Sequence, residues 1–229
     1  MNTYLKVARY HLVNRVQYTL LPLGWLAFAF AVCVVIFTIV DPSTKNGHVG
    51  ALASIFFIFL ALGVQSVVQL LPFGFALGLS RRTYYLGTVL LVTGLSVTYG
   101  LLITIMQEIE RATGGWGGHL SFFRVPYILN GAWYLTWLTA FMGLLFFFLL
   151  GMWCGLIYRR WNLIGVFGFA ATVITVALAG ALSITWTHTW SGFDHFFRAL
   201  SATGLTGMIA ALALVLLTGG AGTMRRVTV

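Results

Sequence analysis

Acidic side chains are almost missing from this sequence. Its 229 residues hold 4 Asp and Glu against 13 Lys and Arg, and charged residues of either sign make up 7% of the chain, where a soluble globular domain carries roughly a quarter. That scarcity excludes an ordinary water-facing surface. Cysteine is limited to Cys33 and Cys154, each inside an apolar run, so no disulfide framework or Cys-based metal spacing exists. Both read as small buried hydrophobes. Several motifs are absent as well. No Gly-rich loop is followed by Lys and Ser or Thr, and glycines 219, 220 and 222 lead only to Met224 and Arg225. No His-Glu-x-x-His helix and no Gly-x-Ser-x-Gly elbow occurs. The sequence therefore offers no catalytic residue, no bound cofactor and no nucleotide site of its own, and ATP chemistry would have to come from a partner chain.

What is present is apolar residues in long runs. Hydrophobic residues reach 60% of the chain, mean hydropathy is +0.96, and a membrane-spanning helix needs about 20 such residues in succession. Six runs qualify: residues 19–40, 51–77, 86–107, 132–157, 163–185 and 200–219. The expected fold is an all-α integral membrane protein, with a transmembrane domain over 19–222 and a short tail over 223–229. Pro22 opens the first run, Asp41 and Pro42 close it, and Pro72 is expected to kink or end the second. Ahead of these runs, residues 1–18 carry Leu5, Ala8, Leu12 and Val16 on one helical stripe with Lys6 and Arg9 off it. This is the pattern of an amphipathic helix lying at the headgroup level. Full span length behind this basic segment argues against a cleavable leader.

Charge placement sets the expected orientation, because loops rich in Lys and Arg stay in the cytoplasm. With six crossings the two ends share one side. Lys6, Arg9, Arg15, Arg81, Arg82, Arg159, Arg160, Arg225 and Arg226 all fall there, with no acid among them. Lys45, Arg111, Arg124 and Arg198 fall on the other side with Asp41, Glu108, Glu110 and Asp194, and cancel them. The net charge of +9 is thus cytoplasmic, and no nucleic-acid partner is needed to account for it. Both termini are expected inside the cell.

Polar residues within the runs are few. Gln65 and Gln69 stand one helical turn apart and form a candidate substrate path, with interhelical hydrogen bonding as the competing reading. His188, Asp194 and His195 share one external connection rich in aromatic rings, a weak candidate for metal and an ordinary set of interfacial residues otherwise. The spacings Gly74 to Gly78 and Gly151 to Gly155 permit close helix contact. The runs lack buried acids, which weighs against an ion-coupled carrier.

The connection between the second and third runs is the most distinctive segment. It reads Pro72-Phe73-Gly74-Phe75-Ala76-Leu77-Gly78-Leu79-Ser80-Arg81-Arg82-Thr83-Tyr84-Tyr85-Leu86-Gly87-Thr88. Ser80 is a natural N-cap, and the residues after it are expected to form a short helix along the membrane surface. This run resembles the corresponding loop of bacterial ABC-transporter permeases of the type-2 exporter class, particularly small actinobacterial ones. The basic N-terminal helix, the six runs and the missing nucleotide motif agree with that plan. The resemblance implies a permease that works with separate ABC ATPase subunits, which bind ATP and Mg, and with a second six-span permease, identical or related. It implies that Ser80, Arg81, Arg82, Thr83, Tyr84 and Tyr85 form the coupling loop that docks on the ATPase. An uncharged set of spans favours an apolar or amphiphilic substrate. A channel or ion-coupled carrier, and an accessory membrane subunit, remain as alternatives.

Overall fold

The computed structural model describes residues 16–39, 50–76, 78–116, 121–123, 132–187 and 202–224. Within them the chain is helical apart from short turns and the segment 121–123, and contains no strand. The expected interfacial helix lies outside the described residues up to position 15, as do the external connection with His188, Asp194 and His195, and the tail beyond Met224.

Helix α1 spans Leu21–Ile39, α2 Ala53–Gln65, α3 Leu71–Ala76, α4 Arg81–Ala112, α5 Trp133–Trp186 and α6 Ala202–Met224. Helices α2 and α3 form one apolar unit, Ala53–Ala76, joined by a π-helical turn over Ser66–Leu70. A matching π-turn, Val16–Leu20, leads into α1. Each π-turn stops at the first leucine of a Leu-Leu-Pro triplet, ending in Pro22 or Pro72. Proline withholds the N–H that would bond four residues back, and its ring crowds that turn. The wider π-turn takes up the misfit. Pro72 therefore does not end the helix, which continues to Ala76.

Five helices among the described residues are long and apolar enough to cross a membrane, the build of a membrane-embedded protein. Packing between them is side by side and follows a definite order. Helices α1 and α4 run in the same direction, since Thr19 meets Tyr99 while Phe30 meets Trp116 just past the end of α4. Helix α2 opposes α4, with Phe59 against Tyr99 and Ser66 against Tyr84. The first half of α5 runs with α2, where the two backbones almost touch. A Cβ on Gly63 would collide with the carbonyl of Phe148 and the nitrogen of Met152, and one on Gly151 with the carbonyl of Leu60. Helix α6 in turn runs with the first half of α5, through Thr139 to Thr206 and Trp153 to Leu216.

Helix α5 spans 54 residues, about 80 Å if straight at 1.5 Å per residue and well beyond the roughly 30 Å of a bilayer core. It is not straight. Asn162 takes φ 53° and ψ −151°, outside the helical region. A Cβ on Gly165 would lie 2.5 Å from Cβ of Trp161 and 3.2 Å from Cγ2 of Ile157. Eight residues of unbroken helix would separate positions 157 and 165 by about 12 Å, so the chain bends back sharply here. The second arm, from Leu163, leaves the bundle, and Ile164, Phe167, Val176, Leu182 and Trp186 are all exposed.

Candidate functional site

The junction between α3 and α4 is a compact turn at one end of the bundle. Gly78 adopts φ +78°, its N–H bonds to the carbonyl of Phe75 at 2.9 Å, and the Leu79 N–H bonds to the carbonyl of Gly74 at 3.1 Å. This pair closes α3 as a Schellman motif, which places a residue without Cβ at the left-handed position. Two residues later Ser80 caps α4, its Oγ accepting the Thr83 N–H at 3.2 Å and lying 2.8 Å from Thr83 Oγ1. Helix α4 starts at once and runs 32 residues. The expected N-cap is thus in place, but the expected short surface helix is not a separate element. The Schellman motif and the cap reverse the chain between Ala76 and Arg81, leaving no length for one.

The six residues expected to dock on a partner divide into two groups. Ser80, Arg81 and Arg82 are exposed and Thr83 is half-buried, so this turn presents two guanidinium-bearing side chains to the outside. Tyr84 and Tyr85 point the other way, with 0% and 5% of their surfaces accessible. Tyr84 Oη donates to the carbonyl of Ser66, and Tyr85 Oη donates to the carbonyl of Leu217 at 2.6 Å. The two tyrosines thus do not share the exposed face of the arginines. Their rings fill the bundle and their hydroxyls join α4 to its neighbours. The same device recurs farther along, where Tyr99 Oη donates to the carbonyl of Thr19 at 2.6 Å.

Both π-turns therefore have a carbonyl occupied by a tyrosine of α4, Thr19 by Tyr99 and Ser66 by Tyr84. A distorted turn diverts backbone acceptors from the helical ladder, and a buried acceptor away from water needs another donor. Tyr85 and Trp153 serve α6 likewise, the indole N–H of Trp153 donating to the carbonyl of Leu216 at 2.9 Å. Helix α4 is the hub that binds α1, the α2–α3 unit and α6 through phenol hydroxyls.

Buried polarity concentrates on α4. Thr88, Ser96, Thr104, Gln107 and Glu110 are all buried along it. Thr88 and Thr104 return their hydroxyls to the carbonyls of Tyr84 and Gly100, at 2.9 Å each. Gln65 is half-buried and Gln69 exposed, and both belong to the α2 side. The polar interior thus follows α4 instead of the two glutamines. In the sequence, Ser96, Thr104 and Gln107 repeat at helical spacing inside an apolar run, which is the signal that marks this face.

Far from the Ser80 turn, Glu110 is 1% exposed. Its Oε2 accepts the indole N–H of Trp116 at 3.1 Å and the backbone N–H groups of Phe122 and Phe123 at 3.0 and 2.8 Å. Glu110 is thus held inside the fold by the chain that follows α4. The neighbouring Glu108 behaves as expected of a surface acid, pairing with Arg111 at 3.0 Å. No cluster of three or more potential metal-ligating side chains occurs among the described residues.

Comparison with known proteins finds no matching family model, no matching curated protein and no matching solved structure.

Proposed function

We propose that this membrane-embedded chain is the permease subunit of an ATP-driven exporter of the type-2 ABC class, moving an apolar or amphiphilic substrate across a bacterial cytoplasmic membrane. The observation that carries the proposal is the Ser80 turn. Two exposed arginines sit one residue ahead of Tyr84 and Tyr85, which are tied into the bundle, so force applied at the turn is delivered directly to α4. Arginine is favoured in protein interfaces and reads carboxylates bidentately. Helix α4 contacts three other units through tyrosine hydroxyls, which suits an element that relays a partner's movement between two packings.

Six crossings with both ends inside the cell accompany the proposal. The two arms of α5 each exceed the length of one crossing, and the parallel run of α6 with the first arm requires the chain to return between them. Glu110 weighs against an ion-coupled carrier. Its Oε2 is occupied by three N–H donors, an arrangement that holds a segment of chain instead of leaving that oxygen for a travelling ion.

The test is purification of the chain from its native membrane under mild detergent. An ATPase subunit in near-stoichiometric amount, with hydrolysis that appears only when both chains are present, is the expected result. Specific ATP turnover by the isolated chain, or recovery of the chain without any ATPase, contradicts the proposal.

A further inference from the structure

The two arms of α5 meet at a corner on the same end of the bundle as the Ser80 turn. Trp153 and Tyr85 reach neighbouring carbonyls of α6, those of Leu216 and Leu217, so α5 at Trp153 and α4 at Tyr85 stand level. The first arm of α5 and α4 run in opposite directions. Arg81 and Arg82 precede Tyr85 by about one turn, and Arg159 and Arg160 follow Trp153 by about two. These arginines therefore share one end. The acids among the described residues, Glu108 and Glu110, lie near the far end of α4, about 40 Å away by helical rise.

At the corner Arg159 is half-buried, and its Nη1 is shut off from solvent without a hydrogen-bond partner. A buried donor left without an acceptor is costly, and more so when charged. Arg160 is exposed, with its guanidinium held over the Trp161 ring at 4.8 Å. Stacking uses the flat face of that group and not its N–H edge. Asn162 reverses the chain in one residue, which brings the C-terminal end of one arm beside the N-terminal end of the next, and their opposite dipole ends offset.

Beyond the corner the second arm is apolar and parts from the first. A Cβ on Gly165 would still crowd Trp161 and Ile157, whereas one on Gly168, a turn farther, would meet no atom within 4 Å. Ile164 and Phe167 are 84% and 70% exposed on this arm. Cations thus stand directly beside open apolar surface.

We propose that the corner of α5 is a binding site for an anionic phospholipid, its phosphate taken by Arg159 and Arg160 and its acyl chains lying along Ile164 and Phe167. Arginine holds phosphate through paired N–H groups, and basic pockets at the cytoplasmic ends of membrane helices suit anionic headgroups. Trp161, 55% exposed beside the two arginines, is the ring type favoured at the membrane boundary. A free phosphate satisfies the same guanidinium groups but leaves the apolar arm uncovered. The site stands on this corner alone and does not rest on the ATPase partner proposed above.

The experiment titrates the full chain, delipidated in neutral detergent, with phosphatidylglycerol and separately with phosphatidylcholine of the same acyl chains, and reads bound lipid by native mass spectrometry. Phosphatidylglycerol is expected to bind at least about tenfold tighter. Arg159→Gln is expected to erase most of that preference, while Arg111→Gln, an equal loss of charge at the other end of the bundle, retains it. Inorganic phosphate in large excess is expected to leave the lipid bound. Equal affinity of the parent chain for the two lipids overturns the site, and this comparison carries the test alone if Arg159→Gln does not insert. An undiminished preference in Arg159→Gln, an equal loss in Arg111→Gln, or displacement of the lipid by inorganic phosphate overturns it as well.

Discussion

The phenol of Tyr85 reaches from the first turns of α4 to the carbonyl oxygen of Leu217 in α6, a hydrogen bond of 2.6 Å between residues 132 positions apart. Gly220 makes room for it, since a Cβ there would lie 3.0 Å from the same hydroxyl oxygen. The contact binds the last helix to the Ser80 end of the bundle. Tyr85→Phe removes the donor and keeps the ring. Loss of about 0.5–1.5 kcal/mol is the expected result, read as a shift of the unfolding midpoint in detergent. A Gly220→Ala variant is expected to shift it in the same direction, and an unchanged midpoint in both means that the contact contributes nothing.

Close packing of α2 on α5 makes a sharper contrast. Gly151→Ala pushes a methyl group into the Leu60 carbonyl, where backbone on both sides prevents relaxation, and overpacking of this kind costs about 1–3 kcal/mol. Gly180 on the second arm of α5 is open by comparison, with no neighbouring atom within 4 Å of where a Cβ would stand. Gly180→Ala is therefore expected to leave stability unchanged or to raise it slightly through helix propensity. Parallel unfolding of the two variants checks this. Equal losses would remove the basis for the crossing described above.

Asn162 carries the reversal in α5. Its φ of 53° with ψ of −151° is a conformation that glycine tolerates and β-branched residues do not. Asn162→Gly is expected to retain stability, whereas Asn162→Ile loses about 1–3 kcal/mol. The order of the two midpoints is the measurement, and Ile at or above Gly contradicts the bend.

Much of this architecture can be read from the amino acids, and the reasons for the rest are specific. Apolar runs mark the helices because a bilayer demands an unbroken apolar length. The Ser80 cap is legible because serine before a helical run has one strong role. Tyr84 and Tyr85 are not, since an amphipathic ring beside two arginines fits an exposed interface and a buried crosslink equally well. The burial of Glu110 is not legible either, for a related reason. Its three donors come from positions 116, 122 and 123, and no local spacing reveals that a loop will fold back onto a helix end. The π-turns leave one trace, the Leu-Leu-Pro triplets, whose effect depends on the tyrosines that α4 supplies from elsewhere in the chain.

Orientation is open to direct labelling. A single cysteine at position 82, with Cys33 and Cys154 replaced, is expected to resist a membrane-impermeant maleimide added to intact cells and to react after permeabilisation. Labelling from outside would falsify the cytoplasmic placement of the Ser80 turn and with it the exporter reading.

The central claim is that arginine geometry at the Ser80 turn binds a partner ATPase. Arg81→Lys with Arg82→Lys preserves the charge that orients the chain but loses the planar, bidentate donor set. The comparison pair is Arg159 and Arg160, where Arg160 already stacks on Trp161 at 4.8 Å. Association with the ATPase subunit proposed as partner is measured for both double-lysine variants in membranes of equal expression. Loss of interface anchors worth about 2 kcal/mol predicts roughly thirtyfold weaker binding for the 81/82 variant and near-normal binding for the 159/160 variant. Equal, near-normal binding in the two contradicts the account and leaves the Ser80 turn as a charge that only orients the chain.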